Sequence, residues 1–452
     1  SLWWIHYLTW SLERGGPTFV KLAQWASSRR DLFPKFVCDT LARLQSQVTP
    51  TPFWRIRRAF EREYGVPIET LFEMFNETPI GVGAIAQVYR ARLRPSEALG
   101  IPEPTECAVK ILHPGVATQI RDDITVIGFL ARIIDRIPQA KWLSLPDEVE
   151  VFGSMMMDQC DLRTEGRNLI RFSEHFRDSP SISFPRPCVR LLRKRVLVET
   201  YLDALPLSLF LDEHHTAADR TLAEIGTNCF LHMLVFDNFV HADMHPGNIY
   251  VTFCEPHPGN AYVRRARDIA SRHRPMPAHP DDPPPTPFIG SEKVAQLRAM
   301  PAHERVAEIN RMIKQGYRPH MMLIDTGLVC ELSPRNLTNF LDLFMAVAKF
   351  NGRRVAQLMV ERSRTPWTAH DVPGFEDAMD EFLRSVRLQT LTLGQLQVGT
   401  ILSKVFAMVQ RHRIKLEGDF VNIGIAIALV EGIGPNLDPD LDLLQRALPI
   451  LQ

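Results

Sequence analysis

The chain has 452 residues, 45% of them hydrophobic, and its 52 lysines and arginines balance its 52 aspartates and glutamates. This length allows two or three domains, or one large enzyme with additions, and the charge balance argues against a nucleic-acid-binding protein. The seven cysteines are scattered and include no Cys-x-x-Cys pair, which argues against a zinc site or disulfide framework and favours a reducing compartment.

Residues 1–75 are predicted to form a helical extension. Aromatic residues crowd positions 2–10, a pattern that suits either a membrane interface or a helix packed on the main body. Residues 53–64 are charged and amphipathic, and residues 69–75 continue the same helical style. Since the chain begins with Ser1, an upstream segment is expected, and any targeting peptide would lie there.

Residues 76–203 are predicted to form a small lobe that contains a β-sheet. The pattern indicates strands at 80–88, 89–93 and 106–111, helical structure over 117–177, and a short strand at 196–202. A sheet-bearing lobe followed by a larger helical lobe is the order found in kinases.

A glycine-bearing hairpin with the pattern G-x-G-x-x-A-x-V opens this lobe. Gly81 and Gly83 allow the backbone to approach a phosphate and to direct amide N–H groups at it. We predict that the hairpin contacts a nucleotide through Ile80, Gly81, Val82, Gly83, Ala84, Ile85, Ala86, Gln87 and Val88.

A lysine follows the hairpin in the segment Ala108-Val109-Lys110, which matches the V-A-I-K strand lysine of kinases. Lys110 would neutralise the α- and β-phosphate oxygens of the nucleotide, ATP or ADP. Its predicted partner is a helix carboxylate, Glu165.

Residues 204–452 are predicted to form a large helical lobe with two catalytic loops. The first loop carries Asp243 and Asn248, and the second, an Asp-Thr-Gly turn, carries Asp325. Asp243 can orient or deprotonate a hydroxyl, while Asn248 and Asp325 offer hard oxygen ligands to Mg²⁺. His241 and His245 would not share a helical face, because Pro246 and Gly247 forbid a continuing helix, so metal binding by these histidines is not expected.

A long insertion, residues 253–320, separates the two loops. Its stretch HPDDPPPTPF at 279–288 cannot form regular core structure, because proline lacks a backbone donor and fixes φ. We expect the insertion to loop out of the lobe, with a disordered middle. Its arginines, at 264, 265, 267, 272 and 274, suit a solvated surface or, alternatively, an anionic partner.

Together these motifs resemble the UbiB, or aarF-domain, family of atypical kinases over nearly the whole chain. The family's Lys-x-Gly-Gln motif and the run after it appear at 16–24 and 28–34, and its HADPHPGN motif appears as His241–Asn248. The C-terminal segments 430–432 and 437–439 also fit. The insertion and the glycine hairpin make the chain most similar to the animal aarF-domain-containing kinase 2 branch, a mitochondrial paralogue.

The resemblance implies an α+β, protein-kinase-like bilobal fold with an N-terminal helical extension that folds over the active site. It implies regulatory roles for Lys21, Gln24, Gln159 and Asp161. It also implies support of ubiquinone biosynthesis or lipid metabolism at the mitochondrial inner membrane, with lipids, quinone precursors or quinone-synthesis enzymes as partners. The alternative is a catalytically weak, nucleotide-switched scaffold.

Four departures from the family pattern bear on these expectations. Ala23 replaces a motif glycine, and Gln159 replaces a carboxylate of the Glu-x-Asp motif. The usual alanine-rich nucleotide loop carries glycines, which should change nucleotide preference. Glu199 occupies a position where methionine is usual, so the packing around the adenine pocket should differ.

Overall fold

The computed structural model describes residues 7, 11–12, 15–29, 31–33, 35–41, 50–137, 143–211, 215–256, 288–363, 366–393 and 398–438. Its helices are α1 (Pro17–Ser28), α2 (Lys35–Leu41), α3 (Phe53–Tyr64), α4 (Ile68–Leu71), α5 (Val116–Ile134), α6 (Leu145–Asp158), α7 (Leu162–His175), α8 (Asp219–Leu231), α9 (Ser291–Ala299), α10 (Ala302–Lys314), α11 (Pro334–Ala348), α12 (Gly352–Glu361), α13 (Val372–Leu393), α14 (Val398–Arg411) and α15 (Gly418–Leu437). Its strands are β1 (Phe72–Phe75), β2 (Gly81–Val82), β3 (Ala86–Leu93), β4 (Thr105–Leu112), β5 (Ile182–Ser183), β6 (Val196–Thr200), β7 (Leu205–Pro206), β8 (Val240–His241), β9 (Ile249–Cys254), β10 (Arg318–Leu323) and β11 (Val329–Cys330). The predicted α+β class is confirmed.

An antiparallel sheet forms the small lobe, with strand order β1-β3-β4-β6 and the short β2 paired with β3. Helix α3 covers the outer face of this sheet. Ile56 and Phe60, four positions apart, turn one helical face to the core, where they join Tyr89 and Val109. The opposite face of the sheet is turned towards the large lobe, so that a cleft forms between the two.

Two local predictions in the small lobe need correction. The helix predicted over residues 69–75 ends at Leu71, and Phe72–Phe75 form β1 beside β3 because strand pairing outweighs a weak helical propensity. The strand predicted over residues 80–88 is split into β2 and β3 by a turn. The residues predicted as a separate strand, 89–93, belong to β3.

The large lobe is mostly helical but also contains a four-stranded sheet with the order β5-β10-β9-β7. Strands β9 and β10 are antiparallel, with Leu323 opposite Ile249. Met321 and Leu323 are buried, as the apolar run predicted. Because β9 and β10 are antiparallel, the start of β9 lies beside the end of β10. Asn248, just before β9, and Asp325, just after β10, therefore lie at the same edge of the sheet.

The insertion does not loop out where the structure describes it. Helices α9 and α10 bury Val294, Leu297, Ile309 and Met312 in the main hydrophobic core of the large lobe. The prediction is therefore wrong for residues 288–320, because apolar side chains at helical spacing on both helices pack against the lobe. The predicted disordered middle and its arginines fall on 257–287, outside the described residues.

A buried cluster of four charged side chains connects the N-terminal extension with the rest of the protein. Arg29, just after α1, forms two hydrogen bonds with Asp31, at 2.9 and 2.8 Å. Arg29 Nη1 also lies 2.6 Å from Glu148 Oε2 on α6, and Lys415 Nζ lies 3.3 Å from Glu148 Oε1. All four side chains are buried, so the extension is held by groups that cannot separate without leaving a charge unpaired.

Across the described residues, no helix combines the length and the apolar character needed to cross a bilayer. The aromatic run at residues 2–10 falls outside the described residues, apart from Tyr7.

Candidate active site

A cleft of about 710 Å³ lies between the two lobes. It is lined by the β2–β3 hairpin, by residues of β4, α7 and β6, and by both predicted catalytic loops. Sixteen of the predicted site residues line it: Lys21, Ile80, Gly81, Val82, Gly83, Ala84, Ile85, Ala86, Val88, Lys110, Gln159, Asp161, Glu165, Asp243, Asn248 and Asp325. Residues far apart in sequence thus meet in one cavity, whereas the lining does not include Gln24 or Gln87.

The side chain of Gln87, predicted to contact the nucleotide, lies outside the lining of the cleft. Successive side chains of a strand point to opposite faces, so Ala86 and Val88 face the cleft and Gln87 faces away from it. The Gln87 amide group is fully buried, accepts a hydrogen bond from Thr51 N at 2.9 Å and donates one to Thr51 O at 3.1 Å. Gln87 therefore holds Thr51, just before α3, through two hydrogen bonds to its backbone.

The turn between β2 and β3 is held by a histidine that the motifs did not reveal. Gly83 N donates to Ala86 O at 2.8 Å, and His113 Nε2 lies 2.9 Å from Gly83 O. His113 Nδ1 in turn lies 2.8 Å from Thr51 Oγ1, and burial lowers the pKa of His113. A Cβ added at Gly81 would meet no atom within 4 Å, so glycine here leaves open space at the mouth of the cleft.

The strand lysine pairs with the predicted helix carboxylate. Lys110 Nζ lies 2.7 Å from Glu165 Oε1 and 2.9 Å from Glu165 Oε2. It also lies 2.8 Å from Asp325 Oδ1, in the second catalytic loop. One ammonium group therefore joins the sheet, helix α7 and the large lobe.

The three groups perturb each other's ionisation. Burial raises the pKa of Glu165 to about 7, against the opposing charge of Lys110. Lys110 lowers the pKa of Asp325 to about 2, and its own pKa is raised by the two carboxylates, which outweigh its burial. Asp325 is thus the firmly ionised acid of the pair, as a cation ligand must be.

The Asp-Thr-Gly turn presents Asp325 in a left-handed backbone conformation, with φ of 56°. This conformation is uncommon outside glycine, and Asp adopts it more readily than most residues. The turn is tied to α7, because Thr326 Oγ1 donates to Glu165 O at 3.3 Å and Asn168 Nδ2 donates to Thr326 O at 2.8 Å. Helix α7 therefore positions both Glu165 and the turn.

The first catalytic loop is organised around a buried histidine. Asp243 N donates to His241 Nδ1 at 3.1 Å, which leaves Nε2 as the proton-bearing atom that donates to Ile324 O, also at 3.1 Å. Asn248 Nδ2 donates to both Asp243 O and Asp243 Oδ2 at 3.0 Å. Burial lowers the pKa of His241, and its structural role agrees with the sequence interpretation.

The two predicted metal ligands are neighbours in the fold. Ile324 N donates a hydrogen bond to Asn248 O at 2.9 Å. Asp325 directly follows Ile324 in the sequence, so this bond brings the backbone of Asp325 close to Asn248. Among the described residues, no group of three or more histidine, cysteine, aspartate or glutamate side chains could hold a metal without further ligands. One carboxylate and one amide oxygen suit Mg²⁺, which keeps waters and substrate phosphates as its remaining ligands.

The predicted regulatory residues occupy different places. Lys21 lines the cleft, and its charge helps to lower the pKa of Asp325. Gln159 also lines the cleft, whereas Gln24 lies on α1 outside its lining. The Asp161 carboxylate caps α7 and pairs with Arg163 at 2.9 and 2.6 Å, so its contacts are local.

Comparison with known families covers both lobes. Residues 43–255 match the ABC1 atypical kinase-like domain, and residues 385–442 match the UbiB helical domain. The structure of Rv3197 from Mycobacterium tuberculosis in complex with erythromycin covers 91% of this chain and 83% of its own, with a TM-score of 0.51 and 17% sequence identity. That likeness concerns the fold alone.

Relatives match almost the whole chain. A mitochondrial ABC1 family protein of Saccharomyces cerevisiae is 37% identical over 100% of this chain and 68% of its own length. One from Schizosaccharomyces pombe is 37% identical over 99% of this chain and 65% of its own length, so the chain spans about two thirds of these relatives. A probable protein kinase UbiB of Pasteurella multocida is 28% identical over 98% of this chain and 73% of its own length.

These matches confirm the kinase-like bilobal fold and the family predicted from the motifs, while the animal kinase 2 branch stays a prediction. From the motifs of the family, Lys21, Asp243, Gly247 and Asn248 line the cleft described above. The chain therefore belongs to the ABC1/UbiB family of atypical kinase-like proteins.

Proposed function

We propose that the chain is an ATP-binding, Mg²⁺-dependent phosphotransferase or ATPase of the UbiB type. The observation that carries this proposal is the contact of Lys110 with both Glu165 and Asp325, which lie 55 and 215 positions away in the sequence. Such a contact joins the phosphate-binding lysine to the carboxylate that a divalent ion requires.

The phosphate end of the cleft is formed by the chain's own positive groups. Lys110 would neutralise phosphate oxygens, and Glu165 would hold the lysine in place. The backbone of Gly81 and Gly83 borders the open mouth of the cleft, where a triphosphate can pass. Lys21, contributed by the extension, adds a second positive charge near Asp325.

The metal ligands would be Asn248 and Asp325, which offer the oxygen donors that Mg²⁺ prefers. The cation would offset the negative charge of the phosphates. Asp325 would then contact the cation in place of Lys110, and Lys110 would remain paired with Glu165 and face the phosphates.

Asp243 is the proposed catalytic residue. Asn248 holds Asp243 Oδ2 at 3.0 Å, which fixes the carboxylate at the cleft surface. In that position the carboxylate can orient a hydroxyl or a water molecule for in-line attack and accept its proton. The N-terminal extension brings Lys21 to the same cleft, which favours water or a small acceptor over a folded protein substrate.

The test separates binding from turnover. Purified wild type and Asp243→Asn are compared for Mg·ATP binding and for phosphate release, with the exposed Asp122→Asn on α5 as the matched control. We expect Asp243→Asn to bind as wild type does and to lose roughly 10²–10⁴-fold in rate. The control should keep the wild-type rate.

A nucleotide-switched scaffold without turnover is the second candidate. It is favoured by Gln159, which replaces a carboxylate at the cleft, and by Ala242, which replaces the catalytic-loop arginine of kinases. If wild type binds Mg·ATP but releases phosphate no faster than Asp243→Asn, the protein is a nucleotide-switched scaffold and not an enzyme.

We place the protein in mitochondria and propose that it supports ubiquinone biosynthesis or lipid metabolism. Support comes from the two yeast relatives named as mitochondrial and from the relatives named UbiB. The quinone content of mitochondria from cells that carry Asp325→Asn in place of wild type tests this. An unchanged content would contradict the quinone role.

The proposal includes contact with a membrane surface through helix α5. Its apolar face, defined as Val126, Phe129, Leu130, Ile133 and Ile134, is exposed by 56, 58, 51, 45 and 40%. The spacing i, i+3, i+4, i+7, i+8 places these side chains on one stripe. Arg132 and Arg136 are exposed beside it, an arrangement that suits anionic lipid headgroups.

Flotation with vesicles that contain anionic lipid tests the apolar face. Phe129→Glu with Ile133→Glu should abolish flotation, whereas Trp367→Glu, at a separate exposed aromatic residue, should not. If the double variant floats like wild type, the membrane contact is wrong. If it instead converts a dimer into a monomer, the face binds a second copy of the chain, and the membrane contact is equally wrong.

A further inference from the structure

One carboxyl group in the cleft has no role in the proposed chemistry. Glu199, at the end of β6, lines the cleft near Lys110 and Glu165. It interacts electrostatically with both of these charged groups. Within the described part of the chain, the carboxyl group of Glu199 makes no hydrogen bond or ion pair. A partly buried carboxyl without a partner is costly unless a ligand or water supplies its hydrogen bonds.

The side chain of Glu199 faces the cleft. Val196 and Val198 of β6 belong to the core of the small lobe, so the alternation of the strand turns Leu197 and Glu199 to the cleft side. In the sheet Glu199 lies opposite Ala108, two residues before Lys110.

The cleft near Glu199 has apolar lining residues from both lobes, which suit a flat aromatic base. Val88 and Ala108 of the sheet lie on one side, and Met322 and Ile324 of the large lobe lie on the other. These side chains are apolar, and the methyl group of Ala108 leaves room for a ring beside it. A nucleotide with its phosphates at Lys110 would direct its base into this slot.

Other polar groups nearby are already engaged. Thr200 Oγ1 accepts a hydrogen bond from Arg186 N, and the Tyr201 hydroxyl donates to an aspartate, Asp203. The backbone N–H groups of Thr200 and Tyr201 donate to Arg186 O and Glu106 O. Glu199 therefore stands out among these neighbours as a polar side chain left for a ligand.

We propose that Glu199 is the base-selecting residue of the cleft, and that its carboxyl group accepts a hydrogen bond from the exocyclic amino group of a 6-aminopurine nucleotide. This inference rests on the proposed nucleotide-binding function and identifies the residue that distinguishes one base from another. A methionine at this position could pack against the base but could not accept that hydrogen bond.

The raised pKa of Glu199 is compatible with an adenine base. Burial raises the pKa of Glu199 to about 8, with a further contribution from Glu165 and an opposing one from Lys110. A protonated carboxyl offers one donor and one acceptor side by side, which matches the amino group and adjacent ring nitrogen of adenine. A carboxylate would instead match the two neighbouring donors of guanine.

The experiment measures dissociation constants of Mg·ATP and of the Mg complex of purine riboside triphosphate, whose base carries hydrogen at C6 in place of the amino group. We expect wild type to prefer ATP by about tenfold, the value of one well-made hydrogen bond. Glu199→Met should reduce this ratio at least about fivefold. Glu199→Gln keeps an acceptor and a donor and should retain the ratio.

Glu103→Met, at an exposed position of the same lobe, is the control for the substitution itself and should leave the ratio unchanged. An unaltered ratio of the two dissociation constants in Glu199→Met overturns the inference while leaving the proposed function in place. So does tighter binding of Mg·GTP than of Mg·ATP by wild type. If wild type binds none of these nucleotides, the proposed function itself fails, and this inference with it.

Discussion

Lys110 Nζ lies 2.8 Å from Asp325 Oδ1, although the two residues are 215 positions apart in the sequence. The same nitrogen contacts Glu165, so one ammonium group pairs with two carboxylates. The pairing preorganises the cleft, because a phosphate group and a divalent ion can enter by exchanging partners within a fixed set of charges.

Lys110→Met should leave two carboxylates facing each other without a cation. We expect a loss of about 3 kcal/mol in the free energy of unfolding, since removing one partner of a buried ion pair leaves an uncompensated charge. Urea denaturation measures the loss. Lys314→Met, at an exposed position on α10, should change stability by less than about 0.5 kcal/mol; equal effects of the two substitutions would contradict the account.

Arg29→Met should release the N-terminal extension. Arg29 is buried between Asp31 and Glu148. Its removal leaves Asp31 without its cationic partner and leaves Glu148 with Lys415 alone, at a cost of about 3 kcal/mol. Hydrogen exchange should then accelerate in α1 while the sheet of the small lobe stays protected. Arg58→Met, on the exposed side of α3, is the control; protection of α1 that survives in Arg29→Met would show that other contacts hold the extension.

Stability should depend on pH through Glu199. Its pKa is raised from 4.5 to about 8 in the folded protein by burial and by Glu165, with Lys110 opposing and Asp325 adding to the rise. The folded state therefore retains a proton that the unfolded chain loses, and this stabilisation is complete below about pH 4.5 and disappears as the pH rises through 8.

Wild type should accordingly lose stability relative to Glu199→Gln between about pH 5 and 8. Urea unfolding of both proteins across that range gives the difference directly. Parallel stability curves would mean that Glu199 ionises in the folded protein as it does in the unfolded chain.

Gly352→Ala should disrupt the packing of α12 on α13. A Cβ at this position would lie 2.3 Å from Asp380 Cα and 2.6 Å from Met379 O, and backbone atoms cannot move aside. We expect a loss of about 2–3 kcal/mol in the free energy of unfolding. Gly418→Ala, at the start of α15, meets nothing within 4 Å and should be neutral or stabilise by up to about 1 kcal/mol. Similar losses for both would show that the contact at Gly352 relaxes.

The sequence predicts much of the candidate site because its signals are local. Glycines at fixed spacing, an Asp-x-Gly turn after an apolar strand, and an Asp and an Asn five positions apart each require a particular backbone shape. Their order along the chain also follows the kinase pattern, so Glu165 could be chosen as the partner of Lys110, which it contacts.

The errors arise where partners distant in the sequence decide the outcome. Gln87 was assigned to the nucleotide because it lies within a motif, but the strand alternation turns it to the opposite face. Phe72–Phe75 became a strand because β3 offers an edge. The partners of Arg29 at Glu148 and Lys415, and the packing of α9 and α10, depend on segments that no local pattern connects.

Calorimetric titration of ATP, with and without Mg²⁺, into wild type and Asp325→Asn tests the central claim most directly. The account predicts that wild type binds ATP and loses at least about tenfold in affinity without Mg²⁺, because the metal joins Asp325 to the phosphates. Asp325→Asn should bind weakly with no response to Mg²⁺. Equal ATP affinity in all four conditions, or no binding by wild type, would contradict it.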